Sequence, residues 1–303
     1  MSGILGAFKT TNVMIRDFNN SITEKDILEL LKEDDIELIR PYGGYTPGKQ
    51  DLYLLNGFFK LRPEVEFRVT AAGMLKLLPD VQAVSEVVKG CFGENLEDLK
   101  YLKCVQSLRL VEKDITPLIS YRDTLKKLTL EGGLKKDADN VLANMFYLNT
   151  LNLESTTLKS FERITKLPLQ NLYIYGNKPS EPIPIKELSE LKNIRIKNNS
   201  SWNDFGFLSN LKKLESIRIE YCSKIEKVPP IYGLHNLKYV EFSNCNRLKD
   251  ITALWNLSND CEVLATGTQL SKEKITYCYE PELGLQAWCK EHSTNLPPKI
   301  SEK

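Results

Sequence analysis

The chain has 303 residues, 42% hydrophobic and 27% charged, a globular balance that excludes a disordered polymer. Its 41 basic and 40 acidic side chains leave a net charge of +1, which excludes a bulk field for nucleic acid or an anionic membrane, so electrostatic recognition must be local. No apolar run reaches the roughly 20 residues that span a bilayer, and Met1-Ser-Gly-Ile-Leu-Gly-Ala-Phe-Lys lacks a cationic lead into an apolar stretch, so a soluble, cytoplasmic protein is expected. Cysteines stand at 91, 104, 222, 245, 261, 278 and 289 without a C-x-x-C pair, which indicates neither a zinc site nor a disulfide framework and suits a reducing compartment.

In chain order, Thr23-Glu-Lys-Asp-Ile-Leu-Glu-Leu-Leu-Lys predicts a short amphipathic helix capped by Ser21 or Thr23. Ile36 to Arg40 reads as a strand, and a Gly/Pro loop from Pro41 to Gly48 follows. A helix is expected around Leu52 to Phe59, and strands at Val65 to Val69 and Val84 to Val88. Residues 1–98 are thus expected to form a βα lead-in that caps a repeat array, with a separate N-terminal domain as the alternative.

From about residue 99 the frame L-x-x-L-x-x-L-x-L recurs, most completely at Met145-Leu148-Leu151-Leu153, Leu188-Leu191-Ile194-Ile196, Leu211-Leu214-Ile217-Ile219 and Leu234-Leu237-Val240-Phe242. The last apolar residues of the units fall at 110, 130, 153, 174, 196, 219, 242 and 263, a period of 20 to 23 residues. One strand per unit, with the two residues of L-x-L inward and the one between them outward, accounts for this spacing. A unit this short cannot cover its own apolar face, so neighbours must close it. A doubly wound α/β domain would need longer helices between strands than Pro179 to Ile185 or Asn198 to Asn210 can form. The expected architecture is therefore α/β: a leucine-rich-repeat solenoid with a curved parallel sheet on its concave face and short helices, 3-10 turns and loops on its convex face.

Three residues past each anchor stand Lys113, Gly133, Thr156, Asn177, Asn199, Cys222, Cys245 and Thr266. Asn, Thr and Cys suit an inward polar ladder between coils, whereas Lys113 and Gly133 predict irregular first units. About eight units are expected over residues 99–266. Residues 267–303 read as a C-terminal cap, Ser271 to His292, and a loose tail from Ser293.

The outward strand positions predict one column of Arg109, Thr129, Asn152, Tyr173, Arg195, Arg218, Glu241 and Glu262, and a second of Val111, Glu131, Glu154, Tyr175, Lys197, Glu220, Ser243 and Leu264. Eight strands about 4.8 Å apart give a face on the order of 35 Å long, the scale of a protein epitope. Its middle gathers Tyr173, Tyr175, Arg195, Lys197, Arg218, Tyr221 and Tyr239, flanked by Glu131 and Glu154 on one side and by Glu241 and Glu262 on the other; with Glu241 the set comes to eight. Tyr and Arg are the types that most often carry interface energy, so these eight are the candidate partner-binding residues. The flanking glutamates argue against a surface that tracks phosphates, so no nucleic acid is expected.

No residue set predicts catalysis, a cofactor or a metal. His235 and His292 are the two histidines and have no carboxylate or cysteine at useful spacing. Gly43-Gly44 and Gly132-Gly133 belong to no phosphate-binding pattern and read as turns. Asp34-Asp35 and Asp137 with Asp139 lack the spacing of a calcium loop. Cys222 and Cys245 lie one repeat apart and read as stacked core positions.

The units Leu188-Ser-Glu-Leu-Lys-Asn-Ile-Arg-Ile and Leu211-Lys-Lys-Leu-Glu-Ser-Ile-Arg-Ile resemble those of bacterial leucine-rich-repeat proteins. The lead-in Leu54-Leu-Asn-Gly-Phe-Phe-Lys-Leu-Arg-Pro-Glu-Val-Glu-Phe-Arg-Val is similar to the segment before the repeats in cytosolic members. The resemblance implies a non-enzymatic, monomeric binder with a protein partner on its concave face. Some compact members are thought to be immunity proteins that bind and block a toxin; an adaptor or regulatory scaffold is the second reading, and an enzyme the remote one.

Overall fold

The computed structural model describes residues 4–268 apart from 136, 157, 159, 177–180, 232, 251–252, 255–256 and 258–260. It divides into two compact units, Met1–Leu148 and Asn149–Lys303. The expected C-terminal cap and tail, the ladder residue Asn177, and Cys278, Cys289 and His292 lie outside the described residues.

The first unit opens with a feature the sequence did not predict, an antiparallel meander of β1 (Ile4–Leu5), β2 (Phe8–Asn12) and β3 (Ile15–Phe18). From β3 onward every pairing in this unit is parallel, through β4 (Leu38–Pro41), β5 (Glu66–Val69), β6 (Ala83–Glu86), β7 (Ser107–Leu110) and β8 (Lys127–Glu131). Two helices cross over between the early strands where the apolar period changes from 2 to 3.6: α1 (Glu24–Leu30) and α2 (Lys49–Leu61). Thr23 caps α1, and Asp26 completes a capping box by accepting from the Thr23 backbone N–H at 2.7 Å. Leu55, Phe58 and Phe59 of α2 are fully buried, and Phe59 meets Phe67 of β5 edge to face at 5.7 Å.

In the second unit β9 (Thr150–Glu154), β10 (Asn171–Tyr175), β11 (Asn193–Lys197), β12 (Ser216–Glu220), β13 (Tyr239–Ser243) and β14 (Glu262–Thr266) pair in parallel in sequence order. Leu151 and Leu153, Leu172 and Ile174, Ile194 and Ile196, Ile217 and Ile219, and Val240 and Phe242 are at most 1% exposed. Each such side chain contributes about 1.5–3 kcal/mol relative to leaving it in water. On the other side of the core the chain runs through 3-10 turns, among them Ile183–Glu187 and Gly206–Asn210, and Trp202 packs edge to face on Phe161, Phe205 and Phe207. The architecture is the expected leucine-rich-repeat fold.

The inward ladder holds Thr156, Asn199, Cys222 and Cys245, all 0% exposed. Asn199 Oδ1 accepts from the N–H groups of Ser201 and Trp202 at 2.9 and 3.0 Å. The Cys222 thiol donates to Glu220 O at 3.5 Å, and that of Cys245 to Ile219 O at 3.5 Å. Burial pushes these thiols up to about 12 and about 11, so they remain protonated packing groups. Lys113 and Gly133 are exposed and stand outside the ladder.

The last strand departs from the expected register. Phe242 pairs with Ala265, Glu241 with Leu264 and Tyr239 with Glu262, so the anchor is Ala265 and not Val263. The ladder position three residues on is Thr268, which is 7% exposed, in place of Thr266.

Candidate functional site

Three columns of outward side chains cross the second unit. Tyr173, Arg195, Arg218 and Glu241 are successive partners in register; so are Tyr175, Lys197, Glu220 and Ser243, and likewise Asn171, Asn193, Ser216 and Tyr239. Each strand contributes alternate residues because its L-x-L pair points into the core. Of the eight predicted partner-binding residues, seven lie on these strands. Tyr221 does not: it stands in the turn that follows β12, with a left-handed φ of 53°.

The cationic residues are held in place by acids of neighbouring strands. Arg195 Nε lies 2.6 Å from Glu220 Oε1, and Lys197 Nζ lies 3.3 Å from Glu220 Oε2. Glu220 is 6% exposed. Burial draws its carboxyl upward, but the hydrogen bonds and charges of Arg195 and Lys197 outweigh burial and hold it below the usual carboxylate range. Arg218 stacks 4.7 Å above the Tyr239 ring, with its Nε 3.9 Å from Glu241 Oε2. Tyr239 Oη donates to Glu241 Oε2 at 3.0 Å, and Ser243 Oγ donates to Glu241 Oε1 at 2.6 Å. Burial and the neighbouring Glu241 raise the Tyr239 phenol to about 12.

Lys197 Nζ sits 5.7 Å from the centre of the Tyr175 ring and 5.5 Å from that of Tyr221. These two rings are 41% and 50% exposed, and Arg218 of the same face is exposed as well. Tyr173, Tyr175, Arg195, Lys197 and Arg218 line a trough of about 590 Å³ together with Asn152, Glu154 and Asn193. Tyr221, Tyr239 and Glu241 are outside its lining.

Sequence reasoning omitted Glu220 from the site, although it joins two of the predicted cations. The signal was available: Lys197 and Glu220 are 23 residues apart in a 20–23-residue repeat, which makes them strand neighbours. It also missed a run of side-chain amides along the third column. Asn171 Nδ2 donates to Thr150 Oγ1 at 2.9 Å, and Asn193 Nδ2 donates to Asn171 Oδ1 at 2.7 Å. Of the expected flanking glutamates, Glu131 keeps its outward strand position and Glu262 is placed differently. Glu131 pairs with Arg109 in the first unit at 2.7 Å, and Glu262 stands opposite Tyr239, one column away from its predicted place.

Among the described residues no group of three or more His, Cys, Asp or Glu could hold a metal ion, and no helix is long and apolar enough to cross a membrane. His235 is exposed.

Parallel strands at one-repeat spacing, an inward Asn/Thr/Cys ladder and an outward aromatic and charged face define a leucine-rich-repeat fold. Among solved structures the chain is similar to internalin F from Listeria monocytogenes, with a TM-score of 0.50 and 15% identity over 84% of this chain and 81% of that one. Internalin C2 from the same organism is 21% identical over 81% and 84% of the two chains, with a TM-score of 0.45. A leucine-rich-repeat protein of Leptospira interrogans is 14% identical over 83% and 72%, with a TM-score of 0.47. No family model matches the chain, and neither does any curated protein sequence.

Proposed function

We propose that this protein is a non-catalytic, monomeric binder that holds a cognate protein on the outward face of its second unit, and that it acts in the bacterial cytoplasm as an immunity protein that neutralises a toxin. The observation that carries the binding reading is the ordering of the Tyr and Arg side chains before any partner arrives. Arg195, Lys197 and Arg218 are each fixed by an acid or a ring, so little side-chain entropy is left to lose on association. The immunity role rests on the resemblance of its repeats to those of compact bacterial members. Residues 1–98 are proposed to cap the repeats that follow them, which is supported by the parallel pairing of β6 with β7.

Co-purification from the native cell, with wild type and with Tyr173→Ala/Arg195→Ala, tests both parts. Each truncation at the centre of an interface is worth about 2 kcal/mol, so the double variant is expected to bind the captured protein at least ~100-fold more weakly. The captured protein is expected to arrest growth when expressed without this chain. Unchanged affinity would move the interface elsewhere; a harmless housekeeping partner would replace immunity by an adaptor role.

A further inference from the structure

The first unit carries an outward feature that the face of the second does not explain. Arg68 of β5 pairs in register with Ser85 of β6, and Ser85 with Arg109 of β7. On the other side β4 pairs Leu38 with Glu66 and Ile39 with Phe67, so Arg40 follows Ile39 as Arg68 follows Phe67. Three arginines therefore share one outward row with a serine between two of them.

The outer two are already neutralised. Arg40 holds Asp17 through two contacts, Nε to Oδ1 at 2.5 Å and Nη2 to Oδ2 at 3.2 Å, and Arg109 holds Glu131 at 2.7 Å. Arg68 is different. Its Nε is buried without a hydrogen-bond partner, and among the described residues its guanidinium pairs with no carboxylate. Glu66 and Asp17 act on it only at a distance, while Arg40 and Arg109 repel its charge. Beside it the Ser85 hydroxyl is 0% exposed and also lacks a partner. A half-buried guanidinium between two like charges and next to an unused hydroxyl is unfavourable unless something else completes it.

We propose that Arg68 and Ser85 form a carboxylate-binding site that receives an acidic side chain of the protein partner. With Arg40 and Arg109 already paired, one positive charge is left in the row, which matches a monoanion. A carboxylate can take the planar Arg68 fork with both oxygens and accept the Ser85 O–H as well. The proposal rests on the protein-binding reading, but it concerns the other unit and has its own readout.

The test is a titration of the ¹⁵N-labelled full chain at constant ionic strength, following the Arg68 Nε–H resonance, which is assigned by its disappearance in Arg68→Lys. The probes are the capped peptide acetyl-(Glu)₄-amide, sodium acetate and inorganic phosphate. The resonance is expected to move saturably with the peptide and in the same direction with acetate. Affinity for the peptide, read from the neighbouring amides, is expected to fall at least tenfold in Arg68→Lys, which keeps the charge but loses the fork, and several-fold in Ser85→Ala. A linear, non-saturating response of the wild-type resonance overturns the site even if a variant fails to fold. Equal binding by Arg68→Lys overturns the role of the fork, and saturation by phosphate below the peptide's range replaces a carboxylate by a phosphate ligand. Since the signal comes from Arg68 itself, its failure leaves the Tyr173 and Arg195 test standing.

Discussion

A single backbone position recurs once per coil in the second unit and shows where local stability yields to surface chemistry. Ser155, Gly176, Asn198, Tyr221, Asn244 and Gly267 all have φ between 49° and 64°. The first five donate their N–H groups to Tyr175, Lys197, Glu220, Ser243 and Thr266 carbonyls of the next coil, at 2.6 to 2.9 Å. Gly and Asn are the residues that tolerate this left-handed conformation, whereas a bulky side chain is strained in it by about 1 kcal/mol or more. Tyr221 bears that strain with its ring half exposed beside Lys197. Tyr221→Asn is therefore expected to raise stability by about 1 kcal/mol in urea denaturation and to weaken partner binding. A variant that loses stability would show that the ring is held for packing and not for contact.

At the scale of elements, Asp26 ties the first hairpin to the first helix. Its Oδ2 accepts from the Thr23 N–H and hydroxyl, while its Oδ1 accepts from Ala7 N at 3.0 Å in the β1–β2 turn. Gly6 has a φ of 55°, and a Cβ there would lie 1.7 Å from Asp26 Oδ1. Thr23→Ala removes the cap and the hydroxyl's hydrogen bond to Asp26, leaves the contact with Ala7 in place, and is expected to cost about 1 kcal/mol. Asp26→Ala also leaves the Ala7 N–H without its acceptor and is expected to cost about twice as much. Guanidinium denaturation of the two variants checks the order; equal losses would mean that the hairpin does not depend on the helix.

The helix and its Thr23 cap were legible because cap, acidic first turn and apolar spacing agree in one short stretch. The hairpin was not, because Phe8-Lys-Thr-Thr-Asn has one apolar residue and its turn residues Val13 and Met14 are apolar yet exposed. The repeat was legible from its period, and with it seven of the eight candidate residues as outward strand positions. Its last register failed because Cys261-Glu-Val-Leu-Ala offers two L-x-L alternations, Cys261 with Val263 and Val263 with Ala265. The ion pairs of Glu220 were legible only through the register that the repeat spacing implies, since composition records charges and not which of them touch.

Over the whole molecule two buried glutamates give the units opposite responses to acid. Glu86, 1% exposed at the end of β6, accepts from Val111 N at 2.7 Å. Burial raises its carboxyl to about 7, opposed by that hydrogen bond and reinforced by Glu112. A raised value in the folded state means that the contribution is complete below the ordinary value of 4.5 and is lost as pH climbs through about 7. The loss amounts to about 3 kcal/mol. Glu220 works the other way: its folded value is depressed, so its contribution is present above the ordinary carboxylate range and is lost as pH falls through the folded value. The first unit is therefore expected to weaken between pH ~4.5 and ~7, where the second is indifferent, and the second to weaken only in stronger acid. Trp202 is buried in the second unit and residues 1–148 contain no tryptophan, so tryptophan fluorescence does not report on the first unit and Trp202 reads unfolding of the second, while amide exchange at Phe67 and Val84 reads the first. Glu86→Gln mimics the protonated acid and is expected to slow exchange at Phe67 and Val84 at pH 8 while leaving it unchanged at pH 4.5. Exchange that stays pH-dependent in this variant, after correction for the intrinsic rate, would place the titrating group elsewhere in the first unit.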